Sequence, residues 1–406
     1  MAKSYEVVVV GGGLAGSCAA LAAAGAGYRT AIVAPRNAGV DGRTTALMTP
    51  SIALLERLGV WSGVRPAAAP LRAMRIIDGT GRLLRAPTVT FHASELDLDA
   101  FGYNIPNAPL LDALHEALQQ QPDIDILAEP VEAVDSRYEQ VELRLRDGEH
   151  VIAALVAGAD GRNSIVRRAA GIGAREWRYP QTAIVLNFHH EFSHADTSNE
   201  FHTEDGPFTQ VPLSGRRSSL VWAMRPNDAT LRAALPAEEL ARAIEARMDS
   251  MLGKVTVDGA VQCYPFSGMI ARSFASDRVL LIGEAGHVFP PIGAQGLNLG
   301  LRDVIDFVDV IQDRGIVHGR NIASRYNRLR RADVASRTFG VDMLNRSLLS
   351  GLLPVQFMRS AGLSALSHIG PLRQFAMREG IDPGAGMRPF ASISGRDRCR
   401  PAAGRW

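Results

Sequence analysis

A strand-like run and a glycine-rich turn are joined without a break in Glu6-Val7-Val8-Val9-Val10-Gly11-Gly12-Gly13-Leu14-Ala15-Gly16. The β-branched residues up to position 10 predict a buried strand, and the alanine-rich stretch from Leu14 to Ala26 predicts a helix. A second strand is predicted from Arg29 to Ala34. This order of strand, loop, helix and strand is the context in which a G-x-G-x-x-G pattern indicates dinucleotide binding.

Each glycine of the loop has a separate use in such a site. Gly11 permits the tight turn out of the strand, Gly13 lets the backbone approach a pyrophosphate, and Gly16 lets the helix pack on the sheet. Leu14 and Ala15 begin the helix, whose N-terminus attracts phosphate. A glycine-rich turn of purely structural use is the alternative, and the strand and helix on either side favour the dinucleotide.

The acidic residue that usually contacts the ribose is missing. That residue stands at the end of the second strand, about 20 residues after the glycine loop, where this chain has Ala34-Pro35-Arg36. The ribose contact is therefore predicted to come from elsewhere. Arg36 either faces the adenine or a phosphate, or is a solvated loop arginine.

Composition excludes several classes of function. The 406 residues are 46% hydrophobic and 21% charged, which is enough for a substantial core in two or three folding units. With 44 Lys and Arg against 42 Asp and Glu, the net charge of +2 disfavours nucleic acid as the main partner and favours a small or apolar one. Cys18, Cys263 and Cys399 are far apart and form no CxxC pair, so they predict neither a disulfide nor a metal site.

The N-terminal residues and an apolar C-terminal stretch bear on the location of the protein in the cell. The first strand begins too soon to leave room for a signal peptide, and the apolar stretch from Leu348 to Leu366 is interrupted by Pro354 and Arg359. We therefore expect a cytoplasmic protein, either free or bound peripherally to the inner membrane.

Apolar residues of the C-terminal region either meet a lipid tail or bilayer or form the core of an amphipathic helix pair: Leu348, Leu349, Leu352, Leu353, Phe357 and Met358. Four arginines of the tail either meet anionic lipid or are solvated: Arg396, Arg398, Arg400 and Arg405.

The remaining pattern predicts an α/β fold with an α+β insert. Met74 to Asp78 and Arg82 to Ala86 flank a turn signal, and alternating strands recur near residues 131–146, 151–157, 183–190 and 218–224. They indicate an antiparallel sheet inserted between parts of a Rossmann-like domain, followed by one more strand at 277–282 and by helices to about residue 380. The predicted division is a nucleotide-binding domain at 1–72, 106–180 and 271–310, a substrate domain at 73–105 and 181–270, C-terminal helices at 311–382, and a flexible tail at 383–406.

Two further segments each follow a strand and open a helix. They are residues 157–168, which contain Asp160-Gly161, and residues 283–303, which begin Gly283-Glu284. With the glycine loop they make the chain resemble the aromatic-ring flavin monooxygenases of the p-hydroxybenzoate hydroxylase class. More narrowly, it resembles the ubiquinone-biosynthesis hydroxylases, including the 2-polyprenyl-6-methoxyphenol hydroxylase type. The resemblance spans most of residues 5–375 and includes residues 41–47, 54–61, 104–107 and 326–328.

The resemblance implies FAD as cofactor, NADH or NADPH as reductant, O2 as co-substrate and a polyprenylated phenol or benzoquinol precursor as substrate. Because the sequence has only one G-x-G-x-x-G, the nicotinamide coenzyme is predicted to bind transiently. It implies Arg43 against the flavin nucleotide, Asp160 at the nucleotide and its supporting loop, and Glu284 at the ribityl chain. The backbone of Gly296 to Asn298, at a helix N-terminus, is implied to face the isoalloxazine ring. The complete set of predicted cofactor residues is Gly11, Gly13, Leu14, Ala15, Gly16, Arg36, Arg43, Thr44, Asn107, Asp160, Glu284, Pro291, Gly293, Gly296, Leu297 and Asn298.

The chain departs from this family at a few positions. Glu284 replaces the usual Asp, which moves the carboxylate outward by about 1.5 Å, and Gly286 and Ala294 replace the commoner alanine and glycine. His287 is implied to position the loop, with a role as a base as the alternative. No residue is assigned a catalytic role, because in such proteins the cofactor performs the chemistry while the protein encloses and positions the substrate. No metal ligand is predicted, because no cysteine or histidine pair has ligand spacing.

Two other classes of function stay open. A flavoprotein dehydrogenase would pass hydride to a quinone without using O2. A catalytically silent flavoprotein partner in a biosynthetic complex would account for the missing ribose acid and for Glu284.

Overall fold

The computed structural model of the chain describes residues 2–35, 41–81, 85–136, 140–290, 295–316, 319–349 and 353–382. Three predicted cofactor residues, Arg36, Pro291 and Gly293, lie outside these ranges, as do Leu352 and the whole tail from residue 383. In chain order the strands are β1 (Lys3–Val10), β2 (Thr30–Val33), β3 (Thr44–Met48), β4 (Ala69–Pro70), β5 (Ala73–Asp78), β6 (Val89–His92), β7 (Gly102–Pro106), β8 (Ile124–Leu127), β9 (Val131–Asp135), β10 (Val141–Leu145), β11 (His150–Gly158), β12 (Ala174–His190), β13 (Thr197–Thr203), β14 (Gly206–Leu213), β15 (Arg217–Met224), β16 (Val255–Ala271), β17 (Ala275–Ser276), β18 (Val279–Leu281) and β19 (His287–Val288). The α-helices are α1 (Leu14–Gly25), α2 (Thr49–Arg57), α3 (Trp61–Val64), α4 (Asn107–Gln120), α5 (Ile165–Ala169), α6 (Pro226–Ala233), α7 (Ala237–Arg247), α8 (Gln295–Arg314), α9 (Gly319–Leu349), α10 (Leu353–His368) and α11 (Gly370–Ile381).

The first sheet holds the glycine loop at its centre. Its strands lie in the order β17-β18-β11-β1-β2-β8, and the hairpin of β9 and β10 extends it beside β11. β1 runs parallel to both neighbours, with Val10 paired to Gly158 on one side and to Val33 on the other. Val7 to Val10 are buried, as a strand covered on both faces requires. The predicted strand, loop, helix and second strand are confirmed.

Helix α1 packs closely on this sheet because its buried side chains are mostly small. All residues from Gly16 to Ala24 are buried. Cys18 is 1% exposed, and burial raises the pKa of its thiol to about 12, which disfavours the reactive thiolate. The prediction that Cys18 belongs to the core is confirmed.

The second sheet has the order β19-β16-β12-β15-β14-β13-β5-β6. Its described strand pairs are antiparallel except for β5 and β13, which run parallel with Ile76 paired to Glu200. The predicted antiparallel sheet is therefore present, with one parallel pair that the sequence did not predict. The reason is that β5 and β13 are joined by a long crossover through the first sheet, and only a long connection can make two strands parallel.

The partner of β5 also differs from the prediction. The sequence places the return strand at residues 82–86, but β5 pairs with β6, where Met74 lies opposite Phe91. Residues 85–88 form no strand, and residues 82–84 lie outside the described ranges. Asp78 explains the wider loop, because its carboxylate accepts hydrogen bonds from Thr80 and from the N–H of Ala86.

The two faces of the second sheet have different neighbours. On the outer face, Phe208, Leu220 and Trp222 pack in one cluster with the apolar residues of α7. The opposite, inner face carries Ser219, whose hydroxyl accepts a hydrogen bond from Thr44 at 2.9 Å. Thr44 belongs to the small third sheet, of order β3-β7-β4. The inner face is therefore turned toward the third sheet.

The C-terminal region is helical from α8 to α11, as predicted. Among the described residues, no helix is both long enough and apolar enough to cross a membrane. The division of the chain into domains stays a prediction, and β12 runs unbroken through the boundary placed at residue 180.

Candidate functional site

Three glycines of the first loop are required by the protein itself. Gly11 has a φ of +118°, and a Cβ atom there would lie 2.3 Å from the carbonyl oxygen of Ala159. A Cβ atom on Gly16 would lie 1.9 Å from the carbonyl oxygen of Gly11. One on Gly12 would lie 2.5 Å from the side chain of Ala34, which explains why a small residue ends the second strand. The loop is thus packed tightly against both neighbouring strands.

Gly13 is different, because a Cβ atom there would meet nothing within 4 Å. It is exposed and forms the N-cap of α1, and no described side chain caps this helix. The first N–H groups of α1, including those of Leu14 and Ala15, have no partner inside the helix. These N–H groups form the positive end of the helix dipole, which is suited to an anion such as a phosphate. The protein therefore gives no packing reason for glycine at position 13, whereas a bound ligand would.

The segment at residues 157–168, which contains Asp160, supports the glycine loop. The carboxylate of Asp160 accepts hydrogen bonds from the hydroxyl of Ser164 at 2.5 Å and from the backbone N–H of Ile165 at 2.7 Å. It thereby caps the N-terminus of α5. The preceding residue, Ala159, donates its N–H to the carbonyl of Val10. Asp160 fixes the loop that packs against Gly11.

The third segment is held by a buried ionic cluster. Asp303 in α8 accepts hydrogen bonds from the N–H of Gly283 and from Nε2 of His287, both at 2.7 Å, and its other oxygen lies 2.6 Å from Nε of Arg330. Asp303, His287 and Arg330 are each at most 2% exposed. Burial opposes ionisation, but the interactions with His287 and Arg330 hold the pKa of Asp303 below its ordinary value. His287 therefore positions the loop, and its burial argues against a role as a base that meets substrate.

This third segment lies against the glycine loop. A Cβ atom on Gly283, whose φ is +61°, would be 3.5 Å from the side chain of Ala15. One on Gly300 would be 3.3 Å from the Cα atom of Gly283 and 3.6 Å from the side chain of Ala15. Two loops far apart in sequence thus meet at the N-terminal ends of α1 and α8. Glu284, next along the segment, is exposed at this junction.

Arg43 belongs to a polar cluster that the sequence reasoning only partly identified. Its guanidinium donates to both oxygens of Asp41 at 2.8 Å and lies over the ring of Tyr264, 5.5 Å from the centroid. Asn107 donates to the same carboxylate at 3.0 Å and accepts from Thr45 at 2.6 Å. Although burial opposes it, hydrogen bonds from Arg43 and Asn107 lower the pKa of Asp41 to about 2. Asp41 was not predicted as a site residue. Its position two residues before Arg43 was the signal in the sequence that could have indicated an ion pair.

Glu284 also acts electrostatically on Arg43. The charge of Glu284 is among the causes that raise the pKa of Arg43, after its hydrogen bond with Asp41. Arg43 immediately precedes β3, and the first turn of α8 is hydrogen-bonded to β3 through Asn298.

Asn298 joins α8 to the third sheet. Its side-chain oxygen accepts hydrogen bonds from the N–H of Met48 at 2.9 Å and the hydroxyl of Ser51 at 2.7 Å, and its nitrogen donates to the carbonyl of Ala46 at 2.7 Å. The first turn of α8, with Gly296 and Leu297, is therefore fixed beside β3. Asn298 acts through its side chain here, in addition to the backbone role predicted for it.

Comparison with known proteins agrees with this geometry. The family described as FAD binding domain matches residues 4–312. The ubiquinone hydroxylase UbiL of Rhodospirillum rubrum is 34% identical over 390 residues, covering 93% of this chain and 90% of the relative. The 3-demethoxyubiquinol 3-hydroxylase of Escherichia coli is 32% identical over 387 residues, covering 92% of this chain and 97% of the relative.

Solved structures show the same fold at lower identity. The p-nitrophenol 4-monooxygenase PnpA from Pseudomonas putida superimposes with a TM-score of 0.75 at 22% identity, over 92% of this chain and 97% of that one. PqsL of P. aeruginosa, in complex with 2-aminobenzoylacetate, superimposes with a TM-score of 0.76 at 22% identity, over 89% of this chain and 100% of that one. The predicted architecture is confirmed by these likenesses.

Replacing Gly13 with Asp tests the glycine loop. We expect Gly13→Asp to fold normally, because its Cβ atom meets no protein atom within 4 Å, and to lose bound FAD, because the new carboxylate would stand where a phosphate should pass. The measurement is the flavin absorbance of the purified protein, with the thermal midpoint of the flavin-free form as a check on folding. Gly63→Asp is the matched control, since Gly63 is equally open but lies in α3. Flavin absorbance equal to wild type in Gly13→Asp would contradict the assignment.

Proposed function

Since this chain belongs to the ubiquinone-biosynthesis hydroxylase family of FAD-binding proteins, we propose that it hydroxylates the aromatic ring of a prenylated phenol in that biosynthesis. It uses FAD, with NADH or NADPH as reductant and O2 as the source of oxygen. The observation that carries the proposal is the meeting of the glycine loop and the Gly283 segment at Ala15, which makes one continuous site from two distant parts of the chain.

The described residues fit FAD. Gly13 leaves open space at the N-terminus of α1, which suits the pyrophosphate. Glu284 is exposed next to Gly283, Arg43 directly precedes β3, and the first turn of α8 offers N–H groups to the flavin ring. Ala34 has no hydrogen-bonding side chain, so the ribose contact must come from another residue. When bound, reduced FAD supplies the reaction of O2 that inserts one oxygen atom into an electron-rich ring.

The inner face of the second sheet supplies the substrate chamber. Ile76, Thr209 and Val221 on this face are partly exposed, whereas Phe208 and Trp222 on the outer face are buried. Ser219 and Tyr264 connect the same face to Thr44 and Arg43 of the candidate site. We define the chamber as the space over Ile76, Thr209 and Val221. In the proposed reaction this face holds the aromatic ring near Thr44 and Arg43.

Turnover with labelled oxygen tests this function against the dehydrogenase alternative. A short-chain 2-prenylphenol should stimulate NAD(P)H oxidation by the FAD-loaded protein only when O2 is present, and one atom of ¹⁸O2 should appear in the product. A dehydrogenase would instead oxidise NAD(P)H anaerobically with a quinone as acceptor and leave the product unlabelled. A silent partner protein would retain FAD and show no stimulation. Either of these last two results would contradict the proposal.

We also propose that α11 contacts the membrane that holds a prenylated substrate. Leu372 and Phe375 are three residues apart, which places them on one side of the helix, and they are 41% and 42% exposed. Ile369, the N-cap residue of α11, is 50% exposed. Met358 in α10 is 73% exposed. Exposed apolar residues that cluster in this way favour a lipid or protein contact. Of the apolar residues predicted to form this surface, only Met358 has a described side chain.

Vesicle binding tests this surface. The double variant Leu372→Ser, Phe375→Ser should lose most of its binding to vesicles of phosphatidylethanolamine and phosphatidylglycerol in a sedimentation assay, because about 2 kcal/mol of burial is lost at each position. Leu231→Ser is the matched control, since Leu231 in α6 is 69% exposed but remote from α11. Equal sedimentation of the double variant and the control would contradict the proposed contact of α11 with the membrane.

A further inference from the structure

Strand pairing places Glu200 on the inner face of the second sheet. Glu200 in β13 is paired with Thr209 in β14, and the pairing of Phe208 with Trp222 puts Thr209 opposite Val221 in β15. Directly opposite residues of neighbouring strands project from the same side of a sheet. Val221 is two residues from Ser219 and therefore shares its face. Glu200 thus lies in the row that forms the floor of the chamber.

The same row places Glu200 within reach of a ring bound beside the candidate flavin site. Two strand spacings and two residues along a strand separate Glu200 from Ser219, which corresponds to about 12 Å between their Cα atoms. Ser219 is hydrogen-bonded to Thr44, next to Arg43. That separation leaves room for one aromatic ring with its substituents.

Glu200 is held by a neighbour on the same face. Nε2 of His202, two residues further along β13, lies 2.8 Å from Oε1 of Glu200. The His202 side chain is 5% exposed and that of Glu200 is 20% exposed. Among the described residues, no hydrogen bond engages Oε2 of Glu200. The more buried His202 therefore holds one oxygen of a carboxylate that is itself partly exposed, and the other oxygen is available to a further donor.

The pair has apolar neighbours on one flank and polar neighbours on the other. Ile76 is paired directly with Glu200, and Met74 on the same side packs in a cluster with Met377 of α11. On the other flank, Asn345 of α9 donates a hydrogen bond to Gln181, which in turn donates to the carbonyl of Asp205 beyond the end of β13. Helices of the C-terminal region thus lie over this end of the sheet. A carboxylate in such a place loses solvation and gains from any further hydrogen-bond donor.

We propose that Glu200 accepts the hydrogen bond of the substrate's ring hydroxyl, with His202 as the residue that positions it. This inference rests on the proposed function. A charged acceptor draws the hydroxyl hydrogen toward itself and raises the electron density of the ring, which favours attack by an electrophilic oxygen. It also selects for phenols, because a ligand without the hydroxyl leaves Glu200 without its partner.

The experiment compares a short-chain 2-prenylphenol with its O-methyl ether on the FAD-loaded protein, with Kd measured from the change in flavin absorbance without reductant. Wild type should bind the phenol at least roughly tenfold more tightly than the ether, as expected for a hydrogen bond to a charged group. Glu200→Gln should lose most of this preference by weakening phenol binding, while the Kd of the ether changes by less than about twofold. His202→Gln leaves the Glu200 carboxylate in place but removes the imidazole that holds it, and it should lose part of the preference for the phenol. A purely structural role would weaken both ligands together.

Glu142→Gln is the matched control, because Glu142 in β10 also pairs with a histidine, His150 at 2.6 Å, but both are about half exposed on an outer hairpin. It should keep the wild-type preference. If wild type binds the phenol and Glu200→Gln keeps the same preference, the inference is overturned while the proposed function stands. If wild type binds neither ligand and the phenol does not stimulate NAD(P)H oxidation, the proposed function fails and this inference fails with it.

Discussion

The carboxylate of Asp303 is the constraint on which the cofactor site depends. It is fully buried and accepts hydrogen bonds from the backbone of Gly283 and from His287, while Arg330 pairs with its other oxygen. A buried carboxylate is costly unless its oxygens are fully satisfied, so the Gly283 segment has one favourable arrangement relative to α8. That arrangement sets Gly283 against Ala15 of the glycine loop. The site is therefore assembled around an ion cluster that does not itself face the ligand.

The same cluster explains why the C-terminal helices are part of the cofactor-binding structure. Arg330 lies in α9 and pairs with Asp306 and Asp333 as well as with Asp303. Nearby, Tyr326 donates its hydroxyl hydrogen to the carbonyl of Leu281 in β18, and Asn327 accepts from the N–H of Phe274. Residues 326–328 are part of the family resemblance, and these contacts show how Tyr326 and Asn327 hold the fold together. Helix α9 fixes the strand that leads into Gly283.

The sequence was most informative where structure is local. The glycine loop, α1 and the strand at residues 279–281 follow from neighbouring residues, and the role of each glycine except Gly13 can be checked against protein atoms alone. Contacts between distant segments were not predictable in the same way. The bond of Asn107 to Asp41 and the parallel pairing of β5 with β13 depend on how the chain crosses between sheets, which no local pattern encodes. Glu200 was missed because no strand was predicted at residues 197–203, and a strand pattern does not reveal which of its faces meets the site.

The most direct test of this account is the affinity for FAD of Asp303→Asn, measured by fluorescence titration of the flavin-free protein, with Asp306→Asn alongside it. Asp306 also pairs with Arg330, at 2.6 Å, but accepts no hydrogen bond from the Gly283 segment among the described residues. If Asp303 sets the position of Gly283, its replacement weakens FAD binding by roughly tenfold or more, as loss of a buried charged hydrogen-bond partner implies, and Asp306→Asn stays within about threefold of wild type. An FAD affinity of Asp303→Asn equal to that of wild type would contradict the account.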